Sequence, residues 1–276
     1  MKLNKTLRGL YPRCRQKFDR PIFLVGCSKS GTTIAASLMY LHPEINGGEN
    51  IISKFGNVSD LNELTDVVIF GPFAHKMEKK VFWDKYFPIN RVELRTGKEL
   101  VLLENSLSFF KTFLFKNDLR KMQIGNRFFN KAPFNSFRIN VLRELFPDAK
   151  IIAIERDGRD VVSSWGREAN RWESFGGYNK AIPVFARKWN ETIDHIEEYK
   201  NKLDVYTFKY EDLLKTPQQT LKSVFEFCEL SYLQTIYDSI ELTPQAGKWK
   251  ARIPKEFHSM LSNLTSENLK RLGYKV

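Results

Sequence analysis

The sequence predicts an α/β fold, a P-loop-like parallel sheet flanked by helices on both faces. Two strand–turn–helix junctions and one recurring alternation carry that expectation. The first junction is the apolar run 21–25, then Gly26-Cys27-Ser28-Lys29-Ser30-Gly31-Thr32-Thr33, then the helical stretch 34–40. The second is Lys150-Ile151-Ile152-Ala153-Ile154-Glu155, with the apolar character of a buried parallel strand. It runs into Arg156-Asp157-Gly158-Arg159-Asp160-Val161-Val162-Ser163-Ser164-Trp165, which reads as a turn and a helix. Beyond these, apolar runs alternate with amphipathic stretches, the order that lays parallel strands beneath crossover helices.

In chain order, a strand is expected at 22–25, where four apolar residues lie between Pro21 and Gly26, and a helix at 32–41, ended by His42-Pro43. Apolar runs place strands at 67–70, before Gly71-Pro72, and at 100–103 and 127–129. A helix is expected at 136–145, closed by Pro147, then the strand 151–154 and the helix 160–170. The amphipathic stretch 182–200 predicts a long helix, 205–208 a strand, 217–228 a helix opened by Pro217, and 266–272 a last helix. The stretch 47–126 is the least legible, and inserted loops at strand ends are where a fold of this kind shapes its second substrate's pocket. The 276 residues suit one domain, with an N-terminal arm at 1–19, a core at 20–245, and a C-terminal lid and helix at 246–276.

A strand, a glycine-bounded turn and a helix start leave backbone N–H groups aimed at one spot, where the helix dipole adds positive charge. The loop from Gly26 to Thr33 is therefore read as an anion site. In the nucleoside-triphosphate loop G-x-x-x-x-G-K-S/T, the lysine reaches the β- and γ-phosphates and the next hydroxyl holds magnesium. Thr32 stands in place of that lysine, and the positive charge has moved inside the loop to Lys29. A triphosphate would lose its clamp, so a shorter anion fits better.

Lys29-Ser30-Gly31-Thr32-Thr33 after an apolar strand resembles the signature loop of the sulfotransferases that use adenosine 3'-phosphate 5'-phosphosulfate. The stretch from Arg156 to Ser164 resembles their 3'-phosphate motif, and Asp157 and Asp160 are also ordinary first-turn helix residues. Further similar segments follow in the family's order: Asn130-Lys131-Ala132-Pro133-Phe134, Leu145 to Lys150, Lys209-Tyr210-Glu211-Asp212-Leu213 with Thr216-Pro217, and Gly247-Lys248-Trp249-Lys250. The similarity spans residues 21–250. It is nearest the branch of tyrosylprotein and carbohydrate sulfotransferases, on His42-Pro43-Glu44 before Gly48-Glu49 and on the Asn-Lys-x-Pro-Phe stretch.

The resemblance implies transfer of the sulfuryl group from 3'-phosphoadenosine 5'-phosphosulfate to an acceptor hydroxyl by in-line displacement, without a metal. Ser28, Lys29, Ser30, Gly31, Thr32 and Thr33 would then hold the 5' end of the donor, and Arg156 with Ser164 the 3'-phosphate. Lys29 would neutralise charge on the leaving phosphate, or bind ground and transition states alike. Lys131 corresponds to a family lysine on the transferring group; the alternative is a solvated side chain before a turn proline. Tyr210 contacts the nucleotide or braces the strand end, Glu211 and Asp212 tie loops together, and Lys248, Trp249 and Lys250 form a lid. Glu49 takes the family's position of the base, against a helix cap or solvent-facing role, with His42 and Glu104 in reserve. His42-Pro43 also reads as a helix stop.

Ile34 replaces the tryptophan of many relatives, and the small-molecule branch's catalytic histidine has no counterpart. These departures favour a sugar, peptide tyrosine or natural-product hydroxyl as acceptor. Trp165, Trp172 and Phe175, with Arg167 and Arg171, either contact a glycan or belong to the core. Two other classes remain: a P-loop kinase or NTPase, which needs magnesium and ATP, and a non-catalytic binder of nucleotides or polyanions.

The formal charge of +12 favours anionic partners, yet the basic residues are scattered and no nucleic-acid motif is present. Cys14, Cys27 and Cys228 offer neither a disulfide framework nor zinc spacing, which suits a reducing, cytoplasmic setting. Cys27 reads as a packed loop residue rather than a nucleophile. No run has the roughly 18 apolar residues of a membrane span. The basic N-terminal arm, with Leu3, Leu7, Leu10 and Tyr11 at near-helical spacing, either touches acidic lipid as a surface helix or packs on its own domain.

Overall fold

The computed structural model describes residues 18–46, 114–117, 119, 125–167, 171–238, 240–242 and 246–276. The strands expected at 67–70 and 100–103, and the candidates Glu49 and Glu104, lie outside the described residues. Among the described residues, β1 (Ile22–Gly26), β2 (Phe129–Lys131), β3 (Lys150–Glu155) and β4 (Val205–Lys209) form a parallel sheet in the order β2-β1-β3-β4. Ile22 pairs with Phe129 on one side and Lys150 on the other, and Ile151 pairs with Val205.

Helices α1 (Thr32–Tyr40) and α2 (Pro43–Asn46) follow β1. A 3-10 turn (Pro133–Arg138) and α3 (Ile139–Leu145) follow β2, while α4 (Gly158–Arg167), α5 (Arg171–Ser174) and α6 (Tyr178–Lys200) join β3 to β4. After β4 come α7 (Tyr210–Lys215), α8 (Pro217–Phe227), α9 (Gln234–Tyr237), α10 (Trp249–Arg252) and α11 (His258–Arg271).

Alternation along the strands explains why helices cover both faces. Ile22, Leu24, Ile152 and Ile154 pack with Leu38 and Met39 of α1, Leu213 of α7 and Val224 and Phe225 of α8. Their neighbours Phe23, Val25, Ile151 and Ala153 pack on the opposite face with Ile139 and Leu142 of α3 and Ile196 of α6. Each fully buried side chain of this size contributes about 1.5–3 kcal/mol, so neither face tolerates solvent. A third apolar cluster joins α4, α6, α10 and α11 through Val161, Trp165, Phe185, Trp189, Trp249 and Leu261.

Several boundaries differ from the sequence reading: the helix expected at 136–145 is a 3-10 turn up to Arg138 and α-helical only over Ile139–Leu145, the helix expected at 160–170 starts at Gly158, and three further shifts have a visible cause. The strand expected at 127–129 is β2 at Phe129–Lys131, because the Arg127 N–H turns away from β1 to donate to the Glu44 carbonyl at 2.8 Å, while its guanidinium donates to the carbonyls of Arg20 (2.7 Å) and Cys228 (2.9 Å). That shift puts Lys131 at the end of a strand. Helix α6 starts at Tyr178 rather than 182: Gly176 and Gly177 both have positive φ, and the Ala181 N–H donates to the Gly177 carbonyl at 3.0 Å, which winds a turn before Pro183. Helix α11 starts at His258 rather than 266, with Leu261, Thr265, Asn268 and Leu269 buried along one stripe.

Candidate active site

Among the described strands, β1 has its successor β2 on one side and the next strand, β3, on the other. In open α/β sheets a ligand crevice forms at such a reversal, outside the carboxyl ends of the strands. Gly26 ends β1 there with φ +141°, and a Cβ on it would lie 2.6 Å from the Ile154 carbonyl oxygen. Only glycine lets the strand end pass β3 so closely. The Gly26 N–H donates to Ser136 Oγ at 2.9 Å, which ties the loop to the chain after β2. The Ser30 N–H returns to the Cys27 carbonyl at 3.0 Å, and Lys29 and Gly31 adopt φ +72° and +93°.

Gly31 is the N-cap of α1 and gives it no side-chain cap, so the helix start presents backbone N–H groups and its positive dipole end to the crevice. A Cβ on Gly31 would lie 2.3 Å from the Tyr210 ring. That ring is buried and carries the Arg156 guanidinium 4.3 Å above it. Arg156 Nη1 donates to the Lys29 carbonyl at 2.9 Å, and Trp189 Nε1 donates to the Arg156 carbonyl at 3.2 Å. The loop, Arg156 and Tyr210 therefore form one packed unit.

The crevice opens into a cleft of about 610 Å³. Ser28, Lys29, Thr32 and Thr33 line one wall, and Lys131, Pro133, Phe134 and Phe137 the next. Trp165, Arg171, Phe175, Phe185, Lys188 and Thr192 close the far side. Four cations and five aromatic rings face this space, and no acidic residue is among its described lining. Lys188 Nζ lies 5.8 Å from the Trp165 ring centre. Cys27 also lines the cleft, but burial pushes its thiol up to about 12, which leaves it packed and unreactive as the sequence suggested.

A second basic group gathers at α4. Arg252 of α10 shares a field with Arg167, Asp160, Arg156 and Tyr210; desolvation first, then the like charge of Arg167, lowers its pKa. Ser164 lies half-buried on α4. Asp157 caps α4, accepting the Arg159 N–H at 2.8 Å and pairing with its guanidinium at 2.7 Å. Glu211 accepts from the Asp157 N–H at 3.2 Å and from Tyr274 Oη at 2.7 Å, and burial raises its pKa. Its tying role agrees with the sequence reading.

Of the sequence candidates, Ser28, Lys29, Thr32, Thr33 and Lys131 meet in the cleft, with Ser30 buried beneath them and Gly31 against Tyr210. The rest of the lid assignment changes character. Trp249 is 5 % exposed and sits between the Arg159 guanidinium and the His258 ring, so it packs rather than covers a ligand, while Lys248 and Lys250 are exposed. His42 is not available as a base. Its Nε2 meets the Ser231 carbonyl at 3.0 Å, its Nδ1 accepts the Glu44 N–H at 3.2 Å, and burial holds the imidazole below its usual range. Trp172 is core, filling the space beside Gly166, whereas Trp165, Phe175 and Arg171 do reach the cleft. Sequence reasoning missed Lys188, although Phe185, Lys188 and Thr192 recur at helical spacing, and it missed Arg252, which no spacing connects to Arg156.

Residues 21–234 match a family model described as the sulfotransferase family. The chain is 24% identical to Protein-tyrosine sulfotransferase 1 of Danio rerio, over 93% of this chain and 73% of that one. It is 28% identical to Protein-tyrosine sulfotransferase A of Caenorhabditis elegans, over 92% of this chain and 67% of that one. Among solved structures, the sulfotransferase domain from the Synechococcus PCC 7002 olefin synthase aligns with a TM-score of 0.56 at 15% identity, covering 95% of this chain and 98% of that one. Sulfotransferase STF9 from Mycobacterium avium aligns with a TM-score of 0.58 at 12% identity, covering 98% and 81%. The two solved structures share the fold.

Proposed function

The chain belongs to the sulfotransferase family, and from that premise we propose that it moves the sulfuryl group of 3'-phosphoadenosine 5'-phosphosulfate to an acceptor hydroxyl. The observation that carries the donor assignment is the join between the two phosphate motifs. Arg156 donates to the carbonyl of Lys29, so the anion loop and the group expected at the 3'-phosphate are rigidly linked. The residues fit such a donor. The start of α1 has no side-chain cap, the buried Ser30 hydroxyl has no partner among the described residues, and four cations line the cleft. A magnesium-dependent triphosphate is disfavoured, since Thr32 holds the lysine position.

The donor supplies a sulfuryl group already joined to a phosphate leaving group. Thr32, Thr33 and the start of α1 bind the 5' end, and Arg156 with Ser164 binds the 3'-phosphate. Lys29 neutralises the charge that develops on the leaving oxygen as the sulfur–oxygen bond breaks, and Lys131 stabilises the equatorial oxygens in transfer. A new bond forms from the acceptor oxygen to sulfur, and the hydroxyl proton passes to Glu49 as base. The aromatic lining excludes water from the acceptor side. The relatives, named protein-tyrosine sulfotransferases, favour a tyrosine hydroxyl of a protein over a sugar, although Trp165, Phe175 and Arg171 line the cleft.

Calorimetry tests the donor. Adenosine 3',5'-bisphosphate should bind without metal, more tightly than the 5'-monophosphate and than ATP with magnesium, and Arg156→Ala should erase the preference for the 3'-phosphate. Equal binding of the two monoadenosine nucleotides, or preference for ATP with magnesium, would overturn the assignment.

A further inference from the structure

Asp160 is fully buried on the first turn of α4, and its carboxylate serves neither the cleft nor its own helix. Oδ2 accepts the Gly247 N–H at 2.6 Å, and Oδ1 accepts the Trp249 N–H at 2.9 Å. An acidic residue three positions after a helix cap ordinarily returns to the N–H of the cap residue. Here the cap is Asp157, and its N–H is already donated to Glu211. Asp160 is thereby released to hold a segment that is remote in sequence.

That segment is built to be held. Gly247 has φ +74° although nothing lies within 4 Å of where its Cβ would be, so backbone conformation rather than space calls for glycine. Trp249 then packs under Arg159 with its ring centre 5.0 Å from the guanidinium, and α10 begins, carrying Arg252 into the field of Arg156 and Arg167. Unaided, three like charges would spread apart.

We propose that Asp160 is a positioning residue whose carboxylate latches residues 247–249 to α4, so that α10, in one apolar cluster with Val161 and Trp165 of α4, brings Arg252 to the anion that Arg156 holds. This rests on the reading that Arg156 holds the 3'-phosphate. The carboxylate matters because two N–H groups need two acceptor oxygens, and an asparagine offers one. The buried charge is stabilised by the two charge-assisted bonds it accepts.

The test combines amide hydrogen exchange on the nucleotide-free protein with nucleotide affinities for wild type, Asp160→Asn, Arg252→Ala and the double variant. In Asp160→Asn the Gly247 and Trp249 amides should exchange on the order of tenfold faster, with the β-sheet amides unchanged. Affinity for adenosine 3',5'-bisphosphate should fall about tenfold, that for the 5'-monophosphate should hold, and the double variant should lose no more than Arg252→Ala alone. Gly247→Ala, which strains the same turn while leaving the residues of α4 unchanged, should show the same selective loss if Asp160→Asn folds poorly. Unchanged exchange at Gly247 and Trp249, equal loss for both nucleotides, or additive losses in the double variant would overturn the latch. If wild type bound the two nucleotides equally, the donor reading would fall, and the exchange result would still decide whether Asp160 holds the segment.

Discussion

Lys29 occupies the left-handed region at φ +72°, a conformation rare for a residue with a Cβ, and its carbonyl is held by Arg156. The loop fixes the backbone of its own cation, so on the proposed reading the side chain starts from a set position at the cleft wall. Lys29→Ala is expected to lower turnover by about 10²–10³ while leaving the melting temperature near that of wild type, because Lys29 is a half-buried residue of the cleft wall and the left-handed backbone is no worse for alanine than for lysine. A variant that raised only the donor KM would instead assign Lys29 to ground-state binding. Gly31→Ala belongs to another class. Its φ of +93° costs about 1–2 kcal/mol for any other residue, and its Cβ would meet a buried Tyr210 ring at 2.3 Å. Denaturant unfolding should register a loss on the order of 2–4 kcal/mol, with weaker nucleotide binding because Tyr210 carries Arg156. A stability within 0.5 kcal/mol of wild type, the usual range for a harmless surface change, would contradict the packing of Tyr210 on the loop.

At the level of elements, β3 ends in Glu155, which is 4 % exposed and has Lys200 Nζ of α6 at 4.0 Å. Burial, opposed by the Lys200 charge, pushes its carboxyl up to about 7 from 4.5. The folded state thus holds a proton that the unfolded chain releases near pH 4.5, so this group's contribution to stability is full below that value and declines as pH rises through 7. The difference corresponds to about 3 kcal/mol, and Glu155→Gln should remove the dependence. Unfolding measured at pH 5 and pH 8 should show wild type losing stability relative to the variant; parallel curves would mean that Lys200 compensates the buried charge. The same strand illustrates what a sequence discloses. The run from Lys150 to Glu155, the loop from Gly26 to Thr33 and their following helices were legible because apolar runs and glycine-bounded turns are local signals. β2 was displaced by two residues, since a three-residue strand has little periodicity and the use of Arg127 is decided by carbonyls far along the chain. The start of α6 differs because the amphipathic pattern is read from 182, whereas the glycines at 176 and 177 set the turn. In the site, the loop cations were legible, while Arg252, Lys188 and the latch at Asp160 depend on contacts between α4, α6 and α10 that no window of sequence contains.

For the whole molecule, the proposed function has the formal charge of +12 and the cleft cations Lys29, Lys131, Arg171 and Lys188 act on an anionic donor at different distances. Charges spread over the surface attract it through solvent, where screening is effective: the Debye length is about 10 Å at 0.1 M salt and about 3 Å at 1 M. Lys131 is buried, so its interaction with a bound sulfuryl group is screened much less. Raising sodium chloride from about 0.05 to 0.5 M should therefore increase the donor KM severalfold through slower capture, while kcat stays within about twofold. Steady-state transfer at saturating acceptor separates the two parameters. A kcat that fell as steeply as kcat/KM would mean that the transferring group reacts among solvated charges rather than beside the buried Lys131.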